Sequence, residues 1–222
     1  MATDRRACWG LIRRKEKWVL TWRARLSLLV LLAGSGVFLV RTIHDFLAVD
    51  APVKSGVLVI EGWISEDTLT NFIANQIDYE MIYTTGGPTL TDRHSKDDSD
   101  TYASVARQRL IKAGVRREKI RMVPCWISRR DRTFAGALAL REWCASNRVD
   151  LAAFNVVTIG PHARRSRLLN QKVFDSRVKI GVIALPNPEY EAEHWWRYSE
   201  GVKETLSETA AYLYSRFLFS PD

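Results

Sequence analysis

The chain has 222 residues, with 33 Lys+Arg against 25 Asp+Glu for a formal charge of +8, and 46% of its residues are hydrophobic. That length and composition fit one globular domain with a sizeable core, and 12 Gly, 7 Pro and 3 Cys exclude collagen-like repeats, wholesale disorder and a disulfide-stapled miniprotein. Only one apolar stretch approaches spanning length, so a multi-span membrane protein is excluded too.

The positive charge is not spread evenly. Residues 1–25 hold Arg5, Arg6, Arg13, Arg14, Lys15, Lys17, Arg23 and Arg25 against Asp4 and Glu16, a net +6, which leaves +2 for everything that follows. A basic tail of this kind argues against a nucleic-acid groove in the folded body. It points to a membrane instead, because the uncharged run Leu26–Val40 comes next and Arg41 closes it.

Fifteen residues of helix rise about 22 Å, short of a hydrocarbon core of about 30 Å. Snorkelling by Arg25 and Arg41, Trp18 and Trp22 at the cytoplasmic headgroups, and Ile43, Phe46 and Leu47 beyond the run make up the difference. A cleaved signal peptide and a buried core helix are the competing readings. Against cleavage, the basic region is long and Ala48-Val-Asp50 puts an acid where a small residue is wanted. The expectation is an uncleaved signal anchor over 26–47, with the tail in the cytoplasm and a linker over 48–55 leading to an extracytoplasmic domain over 56–219. Cys8 would then lie in the reducing compartment. Cys125 and Cys144 fall on neighbouring elements about 20 Å apart, which predicts two unbridged, mostly buried thiols.

From residue 56, strand patterns over 56–61, 79–84, 119–124, 155–159 and 179–184 alternate with helical patterns over 66–76, 99–113, 131–146, 162–174 and 196–217. Strict alternation with nearly continuous apolar strands predicts a Rossmann-like three-layer α/β sandwich with a mainly parallel sheet. Ligands in such folds bind beyond the carboxyl ends of the strands. The residues there are Glu61-Gly-Trp63, Thr85-Gly-Gly-Pro88, Cys125 to Thr133, and Gly160-Pro-His-Ala-Arg-Arg-Ser-Arg167. Neither GxGxxG after the first strand nor GxxxxGK[ST] occurs, which removes the main support for dinucleotide and P-loop readings.

Arginines gather at two helix starts: Arg129, Arg130 and Arg132 at one, Arg164, Arg165 and Arg167 at the other. The helix macrodipole is already positive there, so cations are unfavourable unless an anion is near. An anion site built from Arg132, His162, Arg164 and Arg165 with first-turn N–H groups is the functional expectation, and side chains simply pointing into solvent are the alternative. Gly86 and Gly87 would let a ligand approach the backbone, or form a plain turn. Glu61 would bind a hydroxyl, act as a base or pair with an arginine of the cluster, beside Trp63 as a stacking surface.

The acidic loop 91–100, with four aspartates and His94, is read as solvated, with Asp98, Ser99 or Asp100 capping the next helix, and a divalent cation on its carboxylates is the alternative. No zinc motif occurs, and no metal or cofactor is assigned. The final helical pattern, with Trp195, Trp196, Tyr198, Val202, Leu206, Ala210 and Leu213, is read as packing on the sheet. The alternative is contact of Tyr212, Tyr214, Phe217 and Phe219 with the bilayer.

Several segments resemble the ElyC/SanA/YdcF family of bacterial envelope-associated domains. They are Leu58-Val-Ile-Glu-Gly-Trp63, Asp131-Arg-Thr133 with Ala135, Ala137 and Leu138, Asn155-Val-Val-Thr-Ile-Gly-Pro-His162 with Ala163-Arg-Arg-Ser-Arg-Leu168, and Trp195-Trp196 with Ser199-Glu-Gly201. The similarity covers about residues 55–219. It implies a Rossmann-like fold behind one transmembrane segment and a link to envelope polysaccharide or polyprenyl-phosphate metabolism. Two departures stand out. The family's Thr-x-Glu-Asn pattern is replaced by Thr133-Phe-Ala-Gly136, and its acid at the preceding helix start is matched only approximately by Asp98 or Asp100. The functional expectation is a membrane-anchored domain binding a polyprenyl phosphate or sugar phosphate, with Glu61, Trp63, Gly86, Gly87, Arg132, Thr133, His162, Arg164 and Arg165 as site residues and no nucleic-acid partner. The alternatives are a scaffold recruiting envelope-assembly proteins and a hydrolase or transferase with His162 or Glu61 as base.

Overall fold

The computed structural model describes residues 18–75, 79–89, 97–126 and 131–220. The basic residues before Lys17, Cys8, His94, Arg129 and Arg130 lie outside the described residues, as does Lys17 itself. The chain divides into two compact units, Met1–Leu39 and Val40–Asp222.

The first unit contains most of helix α1 (Trp22–Leu47), which is long and apolar enough to cross a membrane. Its side chains from Leu26 through Val40 are exposed, as a lipid-facing segment requires.

The second unit is an α/β sandwich. Its strands are β1 (Val57–Glu61), β2 (Met81–Gly86), β3 (Ile120–Pro124), β4 (Ala153–Ile159) and β5 (Lys179–Leu185), paired in the order β3-β2-β1-β4-β5 and parallel throughout. Helices α2 (Glu66–Asn75), α3 (Tyr102–Lys112), α4 (Arg132–Ser146), α5 (His162–Val173) and α6 (Ser199–Leu213) complete it. Apolar side chains alternate between the two faces of each strand and supply two cores. One gathers Val59, Tyr83, Val123, Val156 and Val182 with Leu140 of α4, and the other Leu58, Ile60, Ile82 and Val157 with Leu69 of α2 and Leu110 of α3. The strand order reverses between β1 and β4, and that crevice is where doubly wound sheets bind ligands.

Three local expectations are corrected. Helix α3 is capped by Thr101, whose Oγ1 accepts from Ser104 N at 3.2 Å, rather than by Asp98, Ser99 or Asp100. Those three residues form a separate 3₁₀ turn instead, and Asp97 caps it by accepting from Ser99 N. The last α-helix starts at Ser199 and not at 196, because Trp195 and Trp196 belong to a preceding 3₁₀ turn with Trp195 buried and its indole N–H donating to Val40 O at 3.0 Å. The apolar set of α6 also fails to cover the sheet. Leu206 and Leu213 are 60% and 48% exposed, while Gly201 and Thr205 are buried.

The stretch after α1 is strapped to the sheet. Ala51 bridges Val182 of β5, Val53 exchanges hydrogen bonds of 2.7 and 2.9 Å with the side-chain amide of Asn155, and Ser55 donates to Ala153 O. Cys125 follows β3 and Cys144 lies on α4, both as buried, unbridged thiols.

Candidate functional site

A cavity of about 630 Å³ opens at the carboxyl ends of the central strands. Eight of the nine candidate residues line it: Glu61, Trp63, Gly86, Gly87, Arg132, Thr133, His162 and Arg165. Arg164 is elsewhere. Its guanidinium stacks over the Phe46 ring at 3.9 Å and its Nε donates to Phe46 O, which anchors the end of α1.

Glu61, the last residue of β1, is buried together with His162, the first residue of α5. Its carboxylate accepts from Ser166 Oγ and Thr158 Oγ1, each at 2.6 Å, and from Trp63 Nε1 at 3.2 Å. His162 Nε2 stands 3.3 Å from the same carboxylate and 3.4 Å from Thr133 Oγ1. Burial alone would raise the Glu61 pKa, but the charge and hydrogen bond of His162 and the Ser166 and Thr158 hydroxyls hold it below the usual carboxylate value.

The other imidazole nitrogen meets a residue that sequence reasoning missed. Glu208, from the inner face of α6, accepts from His162 Nδ1 at 2.9 Å and takes a forked pair from Arg165, Nε at 2.8 Å and Nη2 at 2.9 Å. Burial opposes the imidazolium and Arg165 repels it, yet Glu61 and Glu208 outweigh both and push the His162 pKa up to about 9. Glu208 is driven the other way. Burial would raise its pKa, but Arg165 and His162 hold it far below the ordinary value. Arg165 Nη2 also stands 2.9 Å from His162 Nδ1, so two cations share one carboxylate. Glu61 and His162, both buried, and Glu208 and Arg165, both partly buried, therefore form a chain of alternating charge that sums to zero.

The glycine segment has a packing role. Gly86 adopts φ +153°, and a Cβ there would stand 2.7 Å from Tyr102 Cβ, so the missing side chain makes room for the start of α3. Tyr102 N in turn donates to Gly87 O at 2.8 Å. Both glycines still present backbone to the cavity. Trp63, 42% exposed, stands edge-on to the His162 ring with centroids 5.4 Å apart, which leaves indole surface facing the opening.

The starts of two helices converge on this space. Asp131, left-handed at φ 49°, turns the chain into α4, and Asp131, Arg132 and Thr133 line the cavity at that start. His162 and Arg165 do so at the start of α5. The six charged groups here, Glu61, Asp131 and Glu208 against Arg132, His162 as imidazolium and Arg165, are balanced in formal charge. Polarity for a ligand then comes from the positive helix ends and from Arg132, which is exposed and makes no ion pair with the described residues.

The sequence signals for Glu208 and Ser166 were available in principle. Gly201, Thr205 and Glu208 recur at i, i+4 and i+7, a small and polar stripe opposite Leu206, Ala210 and Leu213, and Ser166 sits one turn after His162. No family model matches the chain, and no curated protein or solved structure matches it significantly.

Proposed function

We propose that the chain is a membrane-anchored α/β domain that binds a phosphate-bearing metabolite of the bacterial cell envelope, a sugar phosphate or a polyprenyl phosphate. The observation that carries this reading is the convergence of the α4 and α5 starts on one cavity of about 630 Å³, with Arg132 at its rim and Trp63 on its wall. First-turn N–H groups of a helix have no intrahelical acceptor and favour anions. The phosphate belongs at α4, against Arg132 and the Thr133 hydroxyl. At α5 the internal carboxylate of Glu208 already answers the cations. A ring such as a sugar would pack on the exposed indole of Trp63. In this reading α1 anchors the protein in the inner membrane, the basic tail stays in the cytoplasm and the domain lies outside.

The test is equilibrium binding of a sugar 1-phosphate and of a short polyprenyl phosphate to the detergent-solubilised full chain. Arg132→Ala should weaken the phosphate ligand about tenfold or more, the scale of one charge-assisted hydrogen bond. Unchanged affinity in Arg132→Ala combined with Thr133→Val, or no binding to the wild type, contradicts the proposal.

A second reading, hydrolysis or transfer at the same phosphate, draws on the charge state of His162. With a pKa of about 9 the ring is an imidazolium at neutral pH, so His162 serves as a general acid to a leaving oxygen, not as the base. Turnover that survives His162→Gln removes this reading and leaves binding intact.

A further inference from the structure

Helix α6 is amphipathic in an inverted sense. At about 100° per residue, Leu206, Ala210 and Leu213 fall within one arc of about 60°. All three are exposed, while the opposite side, with Gly201, Thr205 and Glu208, faces the protein. Past Leu213 the chain widens into a π-helical turn, Tyr214–Leu218, which keeps Ser215 buried against the cavity. Phe217 and Leu218 meanwhile remain 73% and 77% exposed. A contiguous outward stripe of this kind is uncommon on a surface that meets only water.

What covers it is indicated by its neighbours. Phe46, in the last turn of α1, packs edge-on against Tyr212 of α6 with ring centroids 5.6 Å apart. Val40, the end of the apolar run, is six residues earlier, about 9 Å along the helix. The rim is basic: Arg216 is exposed, Arg164 stacks on Phe46, and Lys172 Nζ lies 5.4 Å from the Phe219 ring centroid while donating to Phe219 O at 2.8 Å. Aromatic and apolar side chains bordered by cations are what an anionic lipid interface accepts.

We infer that α6 and the π-helical turn after it form an interfacial helix that lies on the membrane carrying α1, with Leu206, Ala210, Leu213 and Phe217 immersed among the lipid headgroups. Because Ala211, Tyr214 and Ser215 of the same segment wall the cavity, its ligand is a membrane-resident amphiphile whose polar head reaches Arg132 without leaving the lipid surface. That last step rests on the cavity being the ligand site; the lipid contact does not.

The contact is read by nitroxide labels on full-length protein in nanodiscs containing anionic lipid. Labels are placed singly at Leu206→Cys, Leu213→Cys and Phe217→Cys in a Cys8→Ser background, whose two other native thiols are buried. Collisions with lipid-soluble oxygen should exceed those with the water-soluble nickel chelate Ni-EDDA at all three positions, and the order should reverse at exposed Glu142→Cys. Chelate preference at the three positions overturns the inference. So does shielding from both reagents, which signals a protein partner or a second copy on the stripe. A second variant, Leu206→Asp with Phe217→Asp, separates the two claims. It should lose affinity for a short polyprenyl phosphate in nanodiscs at least tenfold while binding a soluble sugar 1-phosphate as before. Equal loss for both ligands contradicts the lipid route, and so does undiminished binding of the polyprenyl phosphate by this variant.

Discussion

Glu208 Oε1 lies 2.9 Å from His162 Nδ1, so the anion that balances the cationic start of α5 is supplied by the protein itself, from α6. A helix start carrying His162, Arg164 and Arg165 would otherwise be unfavourable. The pair also couples the last helix to the carboxyl edge of the sheet, because His162 passes the interaction on to Glu61 at the end of β1.

That coupling gives stability a pH dependence. The folded pKa of His162 is raised to about 9 from 6.5, so the folded state binds the proton more tightly than the unfolded state does. The resulting stabilisation, on the order of 3 kcal/mol, is fully present below about pH 6.5 and is lost as pH rises through about 9. Urea midpoints measured from pH 6 to 10 should therefore fall with pH, and His162→Gln should flatten that fall.

Removing Glu208 leaves Arg165 and His162 without their shared carboxylate. Glu208→Ala should cost about 3–5 kcal/mol, the scale for breaking a buried ion pair. Glu208→Gln keeps the shape but not the charge, and should bring the His162 pKa down in an imidazole chemical-shift titration. An unshifted pKa in Glu208→Gln would mean that Glu61 alone holds the proton.

The alternation of apolar strands with helices was legible because buried parallel strands need nearly continuous Val, Ile and Leu, and all five strands formed close to the expected positions. Glu61, His162 and Arg165 were legible for a topological reason, since residues just past parallel strands must gather at one edge. Arg164 sits about 100° round α5 from Arg165, and that helical phase carries it to Phe46 instead of the cavity. The outward face of α6 was misread because an apolar stripe looks the same in sequence whether it packs on the sheet or points away from it. Only its exposure distinguishes the two. Glu208 was missed because α6 carries three glutamates, Glu200, Glu204 and Glu208, and only its helical phase with Gly201 and Thr205 sets it apart as the one facing the cavity.

Gly62 tests the junction between β1 and α3. A Cβ there would stand 2.2 Å from Tyr102 O and 2.8 Å from Thr85 O, both backbone atoms that cannot move independently. Gly62→Ala should destabilise the domain by about 1–3 kcal/mol, as overpacking does, and should displace Trp63. A shift in tryptophan emission together with a lowered urea midpoint would show both effects.

The central claim is that the cavity beside Arg132 and Thr133 holds a phosphate-bearing ligand. It is tested most directly by native mass spectrometry of the full chain released from membranes of its own host. The account predicts an adduct whose fragmentation yields a phosphate ion, present in the wild type and lost in Arg132→Ala with Thr133→Val. An adduct without phosphorus, or a phosphate-bearing adduct retained undiminished by that double variant, would contradict it.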